Sequence, residues 1–421
     1  MKGLALAVGV AALCLVRTPA AQAQTAPEAR NMALIGYHDL QGRSAYQPLV
    51  HQQNGRWIAY IGHHGGTEAV PKPRNTLNGQ EEYNGTSILD VTDPKNPKYL
   101  AHIPGQVGFT DRGGSQMVRV CDGAQLPKGD PKAVYLLRPF GSEAIEIWDT
   151  ADPAHPKLVT RVLQGLSQTH KSWWECDTGI AYIVASADGW RVQQITRIFD
   201  LSDPTHPVFI RDFGIAGQQP GATGPTPRFV HGMISAGAQA NRVYFAYGLG
   251  FGGVMQIVDR DKLLHGPAEP TDANLKYPVI GQLDMPPFYG AHTSLPVMNI
   301  DVPEFSRDKI GHVHNFVVIV GEESTNECQT PQQLMWFVDV TSEAHPMVVS
   351  NYGVPEESGH FCSRGGRFGT HSTNEYQPPM YAGRIVFVAH FNAGVRAIDV
   401  RDPFHPKELG YYIPALTPRS D

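Results

Sequence analysis

The chain has 421 residues, a net charge of −6 and a pI near 6.3, with no long run of Lys or Arg. That balance excludes a protein that grips nucleic acid through a basic face. Gly (43) and Pro (34) make 77 of 421 residues, about 18% against a usual sum of roughly 12%, so turns are frequent and strands outweigh helices between them.

Residues 1–23 read as an export signal. Lys2 supplies the positive end, "GLALAVGVAALCLV" (3–16) the apolar core, and Ala21-Gln22-Ala23 a small-residue cleavage site. The apolar run is too short for a membrane span, and Leu13 is too large for the residue before a lipidated cysteine at Cys14. No other stretch is long and apolar enough to cross a bilayer. The expectation is a periplasmic or secreted protein with no transmembrane segment in the mature chain.

From residue 31 to 415 the chain reads as one domain of repeats. "NMALIGYHDL" (31–40) resembles an outgoing strand and is expected to help close a ring. Each unit then opens with a short segment such as "YQPLV" (46) or "RFVHGMI" (228). An aliphatic–aromatic strand follows: "WIAYIG" (57), "AVYLLR" (133), "AYIVAS" (181), "VYFAYG" (243), "FVVIVG" (316) and "IVFVAH" (385). Next comes a recurring phrase. It reads "ILDVTDPKNPKYLAHIPG" at 88, "IWDTADPAHPKLVTRVLQG" at 147 and "IFDLSDPTHPVFIRDFGI" at 198. It returns as "FVDVTSEAHPMVVSNYGVP" at 337 and "AIDVRDPFHPKELGYYIP" at 397, with a degenerate copy, "IVDRDKLLHGP", at 257. In each, an apolar run ends at an Asp whose carboxylate can take backbone amides just ahead. Asp-Pro then sets the turn, and a second Pro starts the outgoing strand.

The landmark residues are Asp90, Asp149, Asp200, Asp259, Asp339 and Asp399. The units they delimit are unequal, shortest from Asp149 to Asp200 and longest from Asp259 to Asp339. Four strands per unit, repeated without a convincing amphipathic helix, describe an all-β propeller. Six units make six blades, and the extra N-terminal strand leaves seven as the alternative. These phrases resemble those of the LVIVD-repeat family, across essentially the whole mature chain. The resemblance implies a propeller and little about chemistry.

In a propeller the first strand of each blade lines the central channel. His231 precedes Asp259 by the same interval as His371 precedes Asp399. His170 and His292 share a second ruler. Each follows, by one common interval, the Pro that starts the preceding outgoing strand, Pro156 and Pro278 respectively. Four consecutive blades are thus expected to point imidazoles at one axis. Tyr46 and Ser115 take the equivalent places in the first two.

Four neutral imidazoles on a rigid ring suit a transition metal, Fe(II) first, with Cu or Zn as alternatives. The arrangement is similar to that of the carotenoid cleavage oxygenases, propellers whose axial iron is held by four histidines. None of that family's sequence motifs is present, so the likeness is one of site geometry. The competing reading of the same cluster is a hydrogen-bonded polar plug or an anion-binding patch.

Metal-bound histidines need partners for their second nitrogens, and Glu175, Glu322 and Glu375 are the candidates. His63, His64, Arg138 and His390, at the ends of second strands, are expected at the pocket mouth with Tyr46 and Ser115. The histidines of the rim turns, His155, His206, His345 and His405, read as structural, and "HVH" (312–314) is only a weak metal signal.

The four cysteines past the signal favour disulfides in an oxidising compartment. Cys121 lies six residues after Ser115 and Cys176 six after His170, matching places on neighbouring blades, which predicts Cys121–Cys176 and, with the remaining two, Cys328–Cys362.

The function expected is an exported metal-binding propeller, an oxidoreductase-like metalloenzyme with a small organic substrate. A non-catalytic propeller that binds a ligand or a protein is the alternative.

Overall fold

The structure is a computed structural model. It describes residues 26–67, 72–305, 307 and 311–416, so the expected export signal at 1–23 lies outside the described residues. Six sheets follow one another around an axis. We number them as blades 1 to 6.

Blade 1 runs outward as Tyr46–Gln53, Arg56–Gly65, Gly85–Asp90 and Lys98–Pro104, and Thr110–Ser115 pairs with the far end of its second strand. Blade 2 comprises Arg119–Asp122, Val134–Phe140, Ala144–Asp149 and Lys157–Leu163. Blade 3 comprises Thr169–Trp174, Ile180–Ala185, Ile195–Asp200 and Val208–Phe213, and blade 4 Val230–Ser235, Arg242–Tyr247, Val254–Asp259 and Val279–Asp284. Blade 5 comprises Thr293–Asp301, Val313–Val320, Met335–Asp339 and Met347–Tyr352. In blade 6 the strands Ile385–Ala389, Val395–Asp399 and Lys407–Ile413 are regular. The inner position there is held by residues 371–374, whose amides and carbonyls bond Ala389 and Phe387. The architecture is the expected six-bladed propeller.

The ring is closed by a segment other than the one expected. Glu28–Arg30 pairs antiparallel with the outgoing strand of blade 6, Glu28 opposite Ile413 and Arg30 opposite Tyr411, and Arg30 Nη2 lies 2.6 Å from Glu408 Oε1. Asn31, at φ +54°, turns the chain out of the sheet, its side-chain amide donating to the Leu409 carbonyl at 2.8 Å. Residues 31–39 therefore form no strand, and Leu40–Gly42 is a single 3-10 turn.

The recurring phrase acts through its carboxylates. Asp90, Asp149, Asp200, Asp339 and Asp399 each accept from the backbone amide two residues on, at 2.8–3.0 Å. The degenerate copy lacks the following Pro, and Asp259 instead caps a short helix, Arg260–His265, by accepting from the Lys262 amide at 3.0 Å. The rim histidines His155, His206 and His405 pair locally with Asp152, Asp203 and Asp402. His312 and His314 turn to different carboxylates, Asp301 and Asp339, at 2.7 Å each.

Blades pack on one another through fully buried aromatic and aliphatic faces. Phe213, Phe245, Phe316 and Phe337 form one cluster from blades 3, 4 and 5, each contributing on the order of 1.5–3 kcal/mol of burial. Both expected disulfides are present, Cys121–Cys176 and Cys328–Cys362, with Cα separations of 5.4 Å.

Candidate metal centre

Two of the inner strands are not regular where the histidines stand. In blade 3, Thr169 pairs with Ala185 but Ser172 with Ile183, leaving one extra residue on the inner strand. In blade 4, Val230 pairs with Tyr247 and Gly232 with Ala246, so His231 is the extra residue. Blade 1 has the same slip between Tyr46 and Leu49. Such bulges re-aim a side chain, and in blades 1, 3 and 4 they lie at the head of the inner strand, beside Tyr46, His170 and His231.

The structure brings all four imidazoles together. Ring centroids are 4.4 Å apart for His170–His231, 3.9 Å for His231–His292 and 4.8 Å for His292–His371. His170 Nε2 lies 3.1 Å from His231 Nε2. Glu322 enters the same space: its Oε2 is 3.6 Å from His231 Nε2 and 4.0 Å from His292 Nε2, and its Oε1 is 4.0 Å from His371 Nε2. Two donor triads result, His170–His231–His292 and His292–Glu322–His371, each with ligand atoms within 4.8 Å of one another.

These groups could hold a metal ion. Two donors each about 2.1 Å from one ion stand roughly 3.0–4.2 Å apart, and the four separations just given span 3.1–4.0 Å. The second nitrogens support the same orientation. His170 Nδ1 donates to Gln116 Oε1 at 2.5 Å, leaving its Nε2 lone pair directed inward, and His292 Nδ1 lies 2.8 Å from Thr293 Oγ1 and 3.3 Å from the Lys171 ammonium. His292 is fully buried, and its Nε2 has no hydrogen-bond partner among the described residues. His371 is held differently, stacked on Phe391 at 5.0 Å.

Burial keeps these imidazoles neutral. It lowers the pKa of His170, His231 and His292 well below the ordinary value, and that of His371 to about 3, with the Lys171 ammonium acting in the same direction on all four. Neutral imidazole is the form that ligates.

Beneath the imidazoles lies an ionic layer that sequence reasoning missed. Lys171 Nζ is 2.8 Å from Glu375 Oε1 and 3.3 Å from Thr293 Oγ1. Gly232 is the space it crosses, since a Cβ there would meet the Lys171 stem at 2.9 Å. Glu375 also pairs with Arg119, whose guanidinium lies over the rings of Trp173 and Tyr376. Burial pushes the Glu375 carboxyl up, but Lys171 and Arg119 override it and hold it at about 2.

Several expected site residues sit elsewhere. Glu322 faces the imidazoles directly and is no outer partner, while Glu375 reaches them only through Lys171. Glu175 stands five residues beyond His170 along an extended strand, about 16 Å on, and its carboxylate is taken by Arg260, Ser235, Thr178 and Tyr182. Ser115 faces Thr86 at 3.1 Å, while the next residue, Gln116, meets the site.

A cavity of about 170 Å³ opens above the centre, with Tyr46, His64, Glu322 and three of the imidazoles on its lining. His63 is buried instead between the Ser44 carbonyl and Ser87 Oγ. Arg138 is buried against Glu146 and the carbonyls of Ile103 and Pro104, and His390 is packed under Phe368. His63 and Arg138 lie within second strands and His390 just past one, and all three side chains are buried among neighbouring residues, away from the pocket mouth. Gln168, Gln193, Gln194, Phe229, Leu249, Ser324 and Arg367 complete the cavity wall. No spacing rule marked them, because they come from loops of unequal length.

No protein-family model and no curated protein matches the chain. Among solved structures it is similar to Sqt1 of Chaetomium thermophilum, at 9% identity and TM-score 0.49, over 87% of this chain and 85% of that one. It is also similar to the WD40 domain of Toxoplasma gondii coronin, at 11% identity and TM-score 0.45, over 93% and 77%. Hydrazine synthase of Kuenenia stuttgartiensis matches at 10% identity and TM-score 0.44, over 85% and 78%. Likeness at this level concerns the propeller alone.

Proposed function

We propose that the chain is an exported metalloprotein of the LVIVD-repeat kind. In this reading the centre of His170, His231, His292, His371 and Glu322 serves an oxidoreductase acting on a small organic molecule. Fe(II) is the first metal expected, with Cu or Zn as alternatives. The observation that carries this reading is the cluster of four imidazoles from four consecutive blades, three of them about Glu322 and the fourth, His170, against His231, beside an open cavity. The two disulfides support an oxidising compartment, and among the described residues no helix is long and apolar enough to cross a membrane.

A bound Fe or Cu ion would supply one-electron chemistry and an open coordination position, and Zn a Lewis acid. The chain's own part is positional. Gln116 holds the proton on the outer nitrogen of His170, Thr293 and Lys171 position the His292 ring through its Nδ1, Phe391 fixes the plane of His371, and Arg367 Nη1 anchors Glu322 Oε1 at 3.0 Å. The Lys171–Glu375–Arg119 layer closes the floor.

The second reading, a non-catalytic ligand- or protein-binding propeller, draws on two contacts that need no ion. His231 Nε2–H can donate to His170 Nε2, and Arg367 already pairs with Glu322. Elemental analysis of protein purified without a histidine tag separates the two. About one equivalent of a first-row metal, lost in a His231→Ala/His371→Ala double variant, supports the metal reading. Full retention of metal in that variant, or none in the parent, overturns it.

A further inference from the structure

Past the Lys171–Glu375–Arg119 layer, two aromatic rings meet. Trp173 lies three residues beyond His170 on the inner strand of blade 3. Tyr376 lies five residues beyond His371, in the stretch that leaves the inner position of blade 6. The two rings stack, with centroids 5.2 Å apart and planes 12° from parallel. The Arg119 guanidinium is 4.9 Å from the indole centroid and 5.0 Å from the phenol centroid. From this pair, contacts run without a break to the imidazoles. Arg119 pairs with Glu375, Glu375 with Lys171 at 2.8 Å, and Lys171 Nζ stands 3.3 Å from His292 Nδ1. Trp173 is buried, whereas Tyr376 is 43% exposed. Neither ring lines the cavity beside the imidazoles, so the water that Tyr376 meets is not the water of that cavity.

Packing alone would be served by any two rings. Indole and phenol, however, are among the side chains most easily oxidised by one electron, and the phenylalanine ring is not oxidised in the same range. Three residues of extended strand span about 10 Å, a distance that electrons cross readily in protein. We propose that Trp173 and Tyr376 relay single electrons from the imidazole centre to a one-electron acceptor that meets the protein on the side of Tyr376. The acceptor takes one electron from Tyr376, the phenol O–H bond breaks, and the proton passes to the adjoining water. Trp173 then gives an electron to the phenoxyl, which recovers a proton, and the indole is refilled from the centre. The sum is one electron moved from centre to acceptor, with no net proton. The inference rests on the reading of the centre as a redox-active Fe or Cu site, and it adds the route by which electrons leave.

The test uses untagged, metal-replete protein, reduced with ascorbate, desalted, and mixed by stopped flow with oxidised cytochrome c. That acceptor is too large for the cavity of about 170 Å³, and metal content is measured on the same preparations. Haem reduction should show a fast phase in the parent and in Tyr37→Phe, an exposed ring away from the stack. Trp173→Phe and Tyr376→Phe keep a ring in the stack and should lose that phase without losing metal. Tyr376→Phe removes only a hydroxyl, so it decides the matter even where Trp173→Phe folds poorly. A second readout needs no metal. In chelator-treated protein, photo-oxidation by a ruthenium polypyridyl with a cobalt(III) quencher should give an aromatic-radical EPR signal that both substitutions diminish. The relay is overturned if the parent does not reduce the haem, if rates are equal in parent and both variants, or if the radical signal is unchanged in both. A centre that holds Zn overturns the relay and leaves the metal reading standing. Protein with no metal sinks both, whereas one equivalent of Fe or Cu with the fast phase intact in the variants sinks only the relay.

Discussion

Gln116 Oε1 stands 2.5 Å from His170 Nδ1, and among the described residues this is the side-chain hydrogen bond that joins blade 2 to the imidazole cluster. It fixes the tautomer that leaves His170 Nε2 free to ligate. Gln116→Leu should therefore weaken metal affinity about 10–100-fold, the usual cost of losing such a partner. His206→Ala, on an exposed rim turn bonded to Asp203, should leave affinity unchanged. Competition titrations with a chromophoric chelator read both, and equal affinity in parent and Gln116→Leu would remove this residue from the centre.

The same contact shows where reading the chain succeeds and where it stops. The recurring phrases mark the third strand of each blade, because in five of the six the Asp bonds an amide two residues on whatever the rest of the blade does, so the blade count was legible. The four histidines were legible because each interval, measured from a landmark Asp or Pro, recurs in a second blade, so irregularities within it are shared by the pair. Gln116 was not. Blade 2 lacks a histidine at its inner position, and its inner strand is split, with Thr110–Ser115 paired to blade 1 and only Arg119–Asp122 to its own blade. A one-residue slip exchanges the faces of a strand, which is why Ser115 was expected where Gln116 stands. Lys171 was hidden for a related reason. At a bulge, two successive side chains can both lie near the axis, and a bulge leaves no mark in the spacing. Glu322 and Arg367 come from connections between strands, whose course depends on what they pack against.

Glu375 is paired with two cations, Lys171 and Arg119, all three side chains being 5% exposed or less. Removing one partner of a buried pair costs about 3–5 kcal/mol. Glu375→Gln leaves two buried cations facing each other, whereas Lys171→Met leaves Glu375 still paired with Arg119. Denaturant unfolding should therefore rank Glu375→Gln as the more destabilised of the two. The opposite order would mean that Arg119 and Lys171 do not depend on this carboxylate.

His63 and His390 are fully buried, and burial lowers the pKa of each to about 3, against 6.5 for an unfolded histidine. Between those values the unfolded chain binds more protons than the folded one, so stability falls as pH drops below about 6.5 and continues to fall toward about 3. Each histidine contributes up to about 1.4 kcal/mol per pH unit within that window. Urea midpoints measured from pH 7.5 to 5 should decline, and His390→Gln should flatten the decline. A profile unchanged by that substitution would show that His390 titrates normally.

The two disulfides should be separable by what they protect. They close 55 and 34 residues, so loop-closure entropy assigns each about 4 kcal/mol. Cys121–Cys176 joins the inner strands of blades 2 and 3 at the ends remote from His170, since Cys176 follows Thr169–Trp174 while His170 opens it. Cys328–Cys362 instead fastens the segment that continues through Phe361, stacked on Phe368 at 4.9 Å, to Arg367 and His371. Replacing both members of either pair with Ser should lower stability by similar amounts. Only Cys328→Ser/Cys362→Ser should also release metal faster to a chelator, because it loosens the arm that carries one imidazole and the anchor of Glu322. Stopped-flow metal release read beside urea unfolding makes the comparison. Equal release rates in the two double variants would show that the arm is held by Phe361 and its neighbours without help from the disulfide.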